Sequence, residues 1–226
     1  MSDSTVCGEP LGDEYGLVLL ETSEPRSTVV HRLVSRRLAD ASGRTAYWID
    51  ARNTASTHVL YDCASSARTL SGLRVARAFT AYQHHSLVRE VVRRADPRTE
   101  LIVAPNVASL YHDSDVPGYE REELVASTLE TLSELGEVLG CPVVVTSADD
   151  ERASTVGEYA RTTIECLHTR EGLRLVGPDG NAATEGYWHG DWWQTTIPYW
   201  ADVCGTVDRL DSVVAAHDRG LLEVTP

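Results

Sequence analysis

Residues 19–30, LLETSEPRSTVV, place a short polar turn between an apolar run and a segment of helical spacing. Such a turn can cradle a phosphate when its chemistry is right. Glycines let the backbone N–H groups wrap the anion, a lysine neutralises it, and a Ser/Thr hydroxyl holds Mg²⁺. The spacing required is G-x-x-x-x-G-K-[ST]. An ungapped reading puts Ser23 at the first glycine, Thr28 at the second, Val29 at the lysine and Val30 at the hydroxyl. The turn itself has neither glycine nor lysine. Valine can neither neutralise a phosphate nor ligate a metal. Both valines fit the apolar face of the helix that follows, so the position reads as one taken over by the core.

Other reactive residue types give weaker signals. His84-His85 with His58 and Cys63 matches no zinc spacing. The cysteines, Cys7, Cys63, Cys141, Cys166 and Cys204, are dispersed with no C-x-x-C and read as reduced, mostly core thiols. No Ser-His-Asp set can be assembled. Arg36-Arg37 and Arg93-Arg94 fall at or near helix ends and read as solvated faces in favourable contact with the helix dipole. The segment GYWHGDWWQTTIPYW holds four of the five tryptophans. Its Tyr187, Trp188, Trp192, Trp193, Tyr199 and Trp200 have two open readings. They cover one end of the sheet, or they form a protein-partner surface, since Trp and Tyr are enriched at interaction hot spots. A base-stacking platform would need arginines nearby.

Charge narrows the function classes. Asp and Glu total 34, the formal net charge is −14, and all 20 basic residues are arginine. An acidic, lysine-free chain fits a cytoplasmic protein working in molar salt inside a halophile; a GC-rich genome favouring arginine codons is the alternative. The acidity opposes broad nucleic-acid affinity, an argument that molar salt weakens by screening. No apolar run approaches the roughly 18 residues of a membrane span, so no membrane association is expected. The first ten residues lack the basic-then-apolar pattern of a signal peptide.

Strands and helices must position whatever site exists. Residues 16–21 read as a strand and 25–40 as a helix, capped by Ser23 or Glu24 with Pro25 in its first turn. Residues 45–50 read as a strand, 54–68 as a helix, and 73–79 as a strand. Thr80-x-x-Gln83 is a capping box for a helix to about residue 95. Residues 100–105 form an apolar strand suited to the centre of a parallel sheet. Residues 119–139 form a helix that stops at Gly140, and 141–147 a buried strand. A polar loop over 148–160 precedes an antiparallel hairpin with its turn near Glu171-Gly172. The alternation predicts an α/β domain, a mostly parallel twisted sheet with helices on both faces. The organisation expected is a tail (1–15), a core (16–180) and an aromatic-rich C-terminal extension packed on it (181–226).

YWIDARNT, LRVARAFTAYQHHSLV and ELIVAPNVASLYHDSD…YEREELVASTLETLSELGEVLGCPVVVTS, in this order and spacing, resemble the ATPase core of the RecA/RadA strand-exchange recombinases on their archaeal and eukaryotic side. The likeness covers about residues 16–177. The family's N-terminal helix-hairpin-helix domain has no counterpart. The resemblance implies a RecA-like core in which the ATP machinery is altered. The family's magnesium-holding aspartate falls at Ala104, its water-orienting glutamate at Arg52, and its γ-phosphate-sensing glutamine at Ala148, while Asp50 is retained. An arginine such as Arg26 could replace the lysine's charge alone. The loop that presents basic residues to DNA carries Asp113, Asp115, Glu120, Glu122 and Glu123, opposed by Arg121. The resemblance therefore implies a pseudo-ATPase that needs no cofactor, an accessory paralogue in homologous recombination or DNA repair acting through a protein partner or self-association, with weak or no autonomous DNA binding. Two alternatives stay open: an ATPase completed in trans by a partner, and a signalling module on the related KaiC-like branch.

Overall fold

The apolar residues of strand β1 (Gly16–Thr22) alternate between two cores. Leu17 and Leu19 enter one, Val18 and Leu20 the other. A strand buried on both faces has no polar side, which explains its continuous hydrophobic run. The computed structural model describes residues 11, 14–41, 43–169, 172–177, 186–189 and 192–195. The chain divides into two units, Met1–Thr195 and Thr196–Pro226, and the described residues all belong to the first.

After β1 come α1 (Val29–Asp40), β2 (Thr45–Ala51), α2 (Thr57–Cys63), β3 (Leu73–Ala78) and α3 (Ala81–Arg94). Next are β4 (Thr99–Ala104), α4 (Gly118–Leu139), β5 (Pro142–Ser147), α5 (Asp150–Gly157), β6 (Thr162–Thr169), β7 (Gly172–Val176), β8 (Gly186–His189) and β9 (Trp192–Thr195). They form a nine-stranded sheet in the order β3-β2-β4-β5-β1-β6-β7-β8-β9. β3 through β6 are parallel neighbours, and β6 through β9 continue the sheet as antiparallel pairs. The chain is thus α/β with a mostly parallel sheet. The expected hairpin is present, with Thr169 opposite Gly172, and the sheet runs on past residue 180.

The strand order dictates the layers. From β1 the chain steps outward to β2 and β3, then turns back through β4, β5 and β6. Right-handed crossovers put helices made on the outward path on one face and those made on the return on the other. Accordingly Val29, Val30, Leu33, Val34 and Leu38 of α1 and Leu60 of α2 share one core. Val88 and Val91 of α3, Leu129 and Leu132 of α4, and Val156 of α5 share the opposite one. α4 and β1 approach each other closely. A Cβ on Gly136 would stand 2.8 Å from the Cα of Gly16, so only glycine fits.

Four sequence expectations need correction. α1 begins at Val29, with Thr28 rather than Ser23 or Glu24 as its N-cap. Pro25 lies in a turn closed by Ser27 N–H donating to Glu24 O at 3.2 Å. The second helix covers only Thr57–Cys63, capped by the Ser56 hydroxyl, because Leu60 is its single buried residue. The polar loop after β5 contains α5, capped by Asp149 and anchored by Ala153 and Val156. The acidic loop after β4 contains a 3-10 turn over Ser109–His112 that buries Leu110 and Tyr111. Thr80 caps α3 as expected, its Oγ1 accepting from Gln83 N–H, while Gln83 Oε1 reaches one residue further back and accepts from Phe79 N–H.

One buried polar chain ties α3 to α4. His84 Nδ1 and Tyr111 Oη are hydrogen-bonded at 2.9 Å, Tyr111 Oη and Thr128 Oγ1 at 2.8 Å, and Thr128 Oγ1 and His85 Nδ1 at 3.1 Å. His84 is fully buried. Burial, aided by the neighbouring His85, lowers its pKa to about 4, and burial pushes the Tyr111 hydroxyl up to about 12. The unfolded chain therefore takes up a proton on His84 near pH 6.5 that the folded chain refuses until about pH 4. We expect this residue to contribute about 3 kcal/mol of stability above pH 6.5, lost as pH falls towards 4. Chemical denaturation across pH 4–7 will read the slope, and His84→Gln will flatten it; an unchanged slope in the variant would refute the assignment.

Candidate functional site

β1 and β5 are neighbours, yet their connecting helices α1 and α5 leave to opposite faces of the sheet. β2 and β4 repeat the arrangement with α2 and α4. Such reversals open a crevice beyond the carboxyl ends of the strands, where open α/β sheets place their ligands. A cavity of about 490 Å³ lies there, lined from the turns after all four strands: Pro25 and Arg26, Arg52, Asn106, and Ala148 with Asp149.

The turn after β1 is fixed from across the sheet. Asn106, with φ 52°, donates from Nδ2 to Pro25 O at 2.7 Å, and its N–H donates to Thr146 Oγ1 at 2.9 Å. Thr22 Oγ1 donates to Glu24 O at 3.1 Å. Ser23 and Thr28 are exposed in this turn. Val29 and Val30, by contrast, are 0% and 2% exposed. Their side chains are packing groups in the layer under the sheet, turned away from the crevice that a phosphate-binding pair would face.

The loop after β2 is strained and stapled. Arg52 and Asn53 have φ of 66° and 56°, a region non-glycine residues seldom adopt. Asp50, fully buried, holds this shape: its Oδ1 accepts from both Thr54 N–H and Thr54 Oγ1 at 2.7 Å. Arg77 Nε stands 3.2 Å from Asp50 Oδ2, an ion pair without the alignment of a hydrogen bond, and Arg77 Nη2 donates to Ala55 O at 2.9 Å. Asp50 is therefore a loop staple and does not line the cavity. Arg52 does. Its Nη2 donates to Ser109 O at 2.9 Å and to Asp113 Oδ1 at 2.5 Å. The position where the resemblance implies a carboxylate base thus holds a cation already neutralised by a carboxylate. Ala104 is fully buried at the end of β4, and Ala148 lines the cavity at the end of β5.

Of the residues singled out from the sequence, the structure brings Arg26, Arg52, Asp113 and Ala148 to the cavity. The sequence reading missed Asn106, His112 and Arg152. No local pattern marks them, because they come from separate segments, two turns and the start of α5, that meet only in the folded sheet. A second cavity, of about 650 Å³, shares Ala108, His112, Asp149 and Arg152 with the first and extends between α4 and α5. Burial first, then the Arg152 and Arg121 guanidiniums, lower the His112 pKa. Arg121, the one cation expected to oppose the acidic loop, donates from Nε to Tyr111 O at 3.0 Å. Asp115, Glu122 and Glu123 are exposed.

The histidines weighed as metal ligands are engaged elsewhere: His84 and His85 in the α3–α4 chain, and His58 Nδ1 with Asp62 at 2.6 Å. Glu90 pairs with both Arg93 and Arg94 at the end of α3, and Arg37 with Glu100 at 3.1 Å. In the aromatic segment the backbone register sets Trp188 opposite Trp193 and His189 opposite Trp192 across β8 and β9. Tyr199 and Trp200 lie outside the described residues. No helix among the described residues is long and apolar enough to cross a membrane.

No protein-family model matches the chain, and no curated protein matches it.

Removing the Asp50 staple should strand the Thr54 N–H and hydroxyl and leave the loop strain uncompensated. We expect Asp50→Ala to cost about 3 kcal/mol and Asp50→Asn less than half of that, since the asparagine keeps an acceptor for Thr54. Urea denaturation of the two variants checks this; equal losses would show that the charge, not the acceptor, holds the loop.

Proposed function

We propose that this chain is a catalytically inactive paralogue of the RecA/RadA ATPase core that acts through protein contacts as an accessory or regulatory protein in homologous recombination or DNA repair. The observation that carries the reading is the burial of Val29 and Val30. They stand where the resemblance places the phosphate-binding lysine and the Mg²⁺-binding hydroxyl, and both are packed into the core under the sheet. Arg52, Ala104 and Ala148 support it, since each stands at a position of the ATP machinery with a side chain that cannot do that work. A framework kept while its catalytic positions change is what a docking subunit requires: the surfaces persist without the turnover. The acidic loop before α4 supports a protein partner over bare DNA, because single strands are held by basic grooves.

The test is capture of partners from native extract in high salt, with the full chain as bait. We expect a recombinase or a single-strand-binding protein to be retained, and retention to fall when Trp188 and Trp193 are both changed to alanine. Retention of sensor-pathway proteins in place of these would contradict the recombination role and favour the signalling reading.

A further inference from the structure

The cavity beyond β1, β2, β4 and β5 carries more than an absence of phosphate chemistry. Its charged lining is three guanidiniums, Arg26, Arg52 and Arg152, against two carboxylates, Asp113 and Asp149. A net-positive pocket stands out in a chain of formal charge −14. The three cations are not equivalent. Arg52 is committed to Asp113 and to Ser109 O. Arg152 has only a loose pairing, its Nε 4.0 Å from Asp149 Oδ1. Arg26 has no side-chain partner among the described residues, although it lines the cavity.

The backbone points to the same place. All three non-glycine residues with positive φ among the described residues, Arg52, Asn53 and Asn106, sit at the carboxyl ends of β2 and β4. Backbone strain of this kind persists where the surrounding structure maintains it, and it clusters at ligand sites. Between the cations the wall is apolar, made by Pro25, Ala108 and Ala148.

We propose that this cavity binds a small organic acid bearing one oxyanion group, a carboxylate or a phosphate monoester, held by Arg26 and Arg152. The planar guanidinium donors match such a group in pairs, and the apolar wall takes a compact organic body. About 490 Å³ accommodates a metabolite of modest size. A metal-bound triphosphate is a poor match, because a single excess positive charge cannot balance it and Asp113 and Asp149 would repel it. The proposal goes beyond the accessory role and stands whether or not a recombination partner is found.

The experiment is isothermal titration of the full chain at fixed ionic strength with inorganic phosphate, glycerol 3-phosphate, pyruvate, benzoate and Mg-ATP as probes. At least one single-oxyanion probe should bind at a ratio of one per chain, and more tightly than Mg-ATP. The phosphate and carboxylate arms then identify which oxyanion the site prefers. Arg26→Ala and Arg152→Ala should each weaken that probe about tenfold. Neither should move the denaturation midpoint, since Arg26 is exposed and Arg152 is half-buried with only a loose pairing to Asp149. Failure of every single-oxyanion probe to bind below about 10 mM would overturn the proposal. So would binding that survives both substitutions, or Mg-ATP as the tightest ligand.

Discussion

α1 has to bury its first turn. Thr28 ends the exposed turn, and with Val29 and Val30 the chain passes at once beneath the sheet into the core shared by Val18, Leu20 and Trp48. This packing decides what the crevice above can offer. Had those two positions carried a lysine and a hydroxyl, they would have needed to face the cavity, and the helix would have entered at a different angle or over a glycine-rich turn. With valines the turn is free to be an ordinary one, closed by Glu24 and tied down by Asn106 from the end of β4. The cations that line the crevice come instead from separate segments, Arg26 and Arg52 from turns and Arg152 from the first turn of α5.

The sheet order makes this possible. Stepping outward to β3 and back to β6 places helices on both faces and leaves a reversal between β1 and β5 and another between β2 and β4. The turns after four strands therefore converge, whatever residues they carry. The architecture supplies a site by topology, and the chemistry of the site is set separately by the residues in those turns.

How much of this could be read from the sequence follows from the range of the interactions involved. β4 and β5 were plain because strands buried on both faces are uniformly apolar, and LIV and VVV admit few other readings. α3 was plain because its capping box and its apolar stripe agree. α5 was missed because two residues, Ala153 and Val156, are enough to hold it once Asp149 caps it, and two apolar residues make no visible period. The start of α1 was misplaced because Pro25 is a good first-turn residue locally, while its carbonyl is claimed by Asn106, a tie between distant segments of the chain. Val29, Val30, Ala104 and Ala148 were legible as apolar residue types. Asp50 was legible as an acid at a strand end, but its service to Thr54 and Arg77 needed the fold. The cluster of Arg26 and Arg152 has no sequence pattern, since each residue looks ordinary where it stands.

Steady-state phosphate release and equilibrium nucleotide binding by the purified chain in molar salt test the central claim most directly. With Val29 and Val30 in the core and Arg52 paired to Asp113, the account predicts no Mg²⁺-dependent turnover of ATP above buffer and no micromolar affinity for it. Micromolar ATP binding accompanied by Mg²⁺-dependent turnover would contradict it.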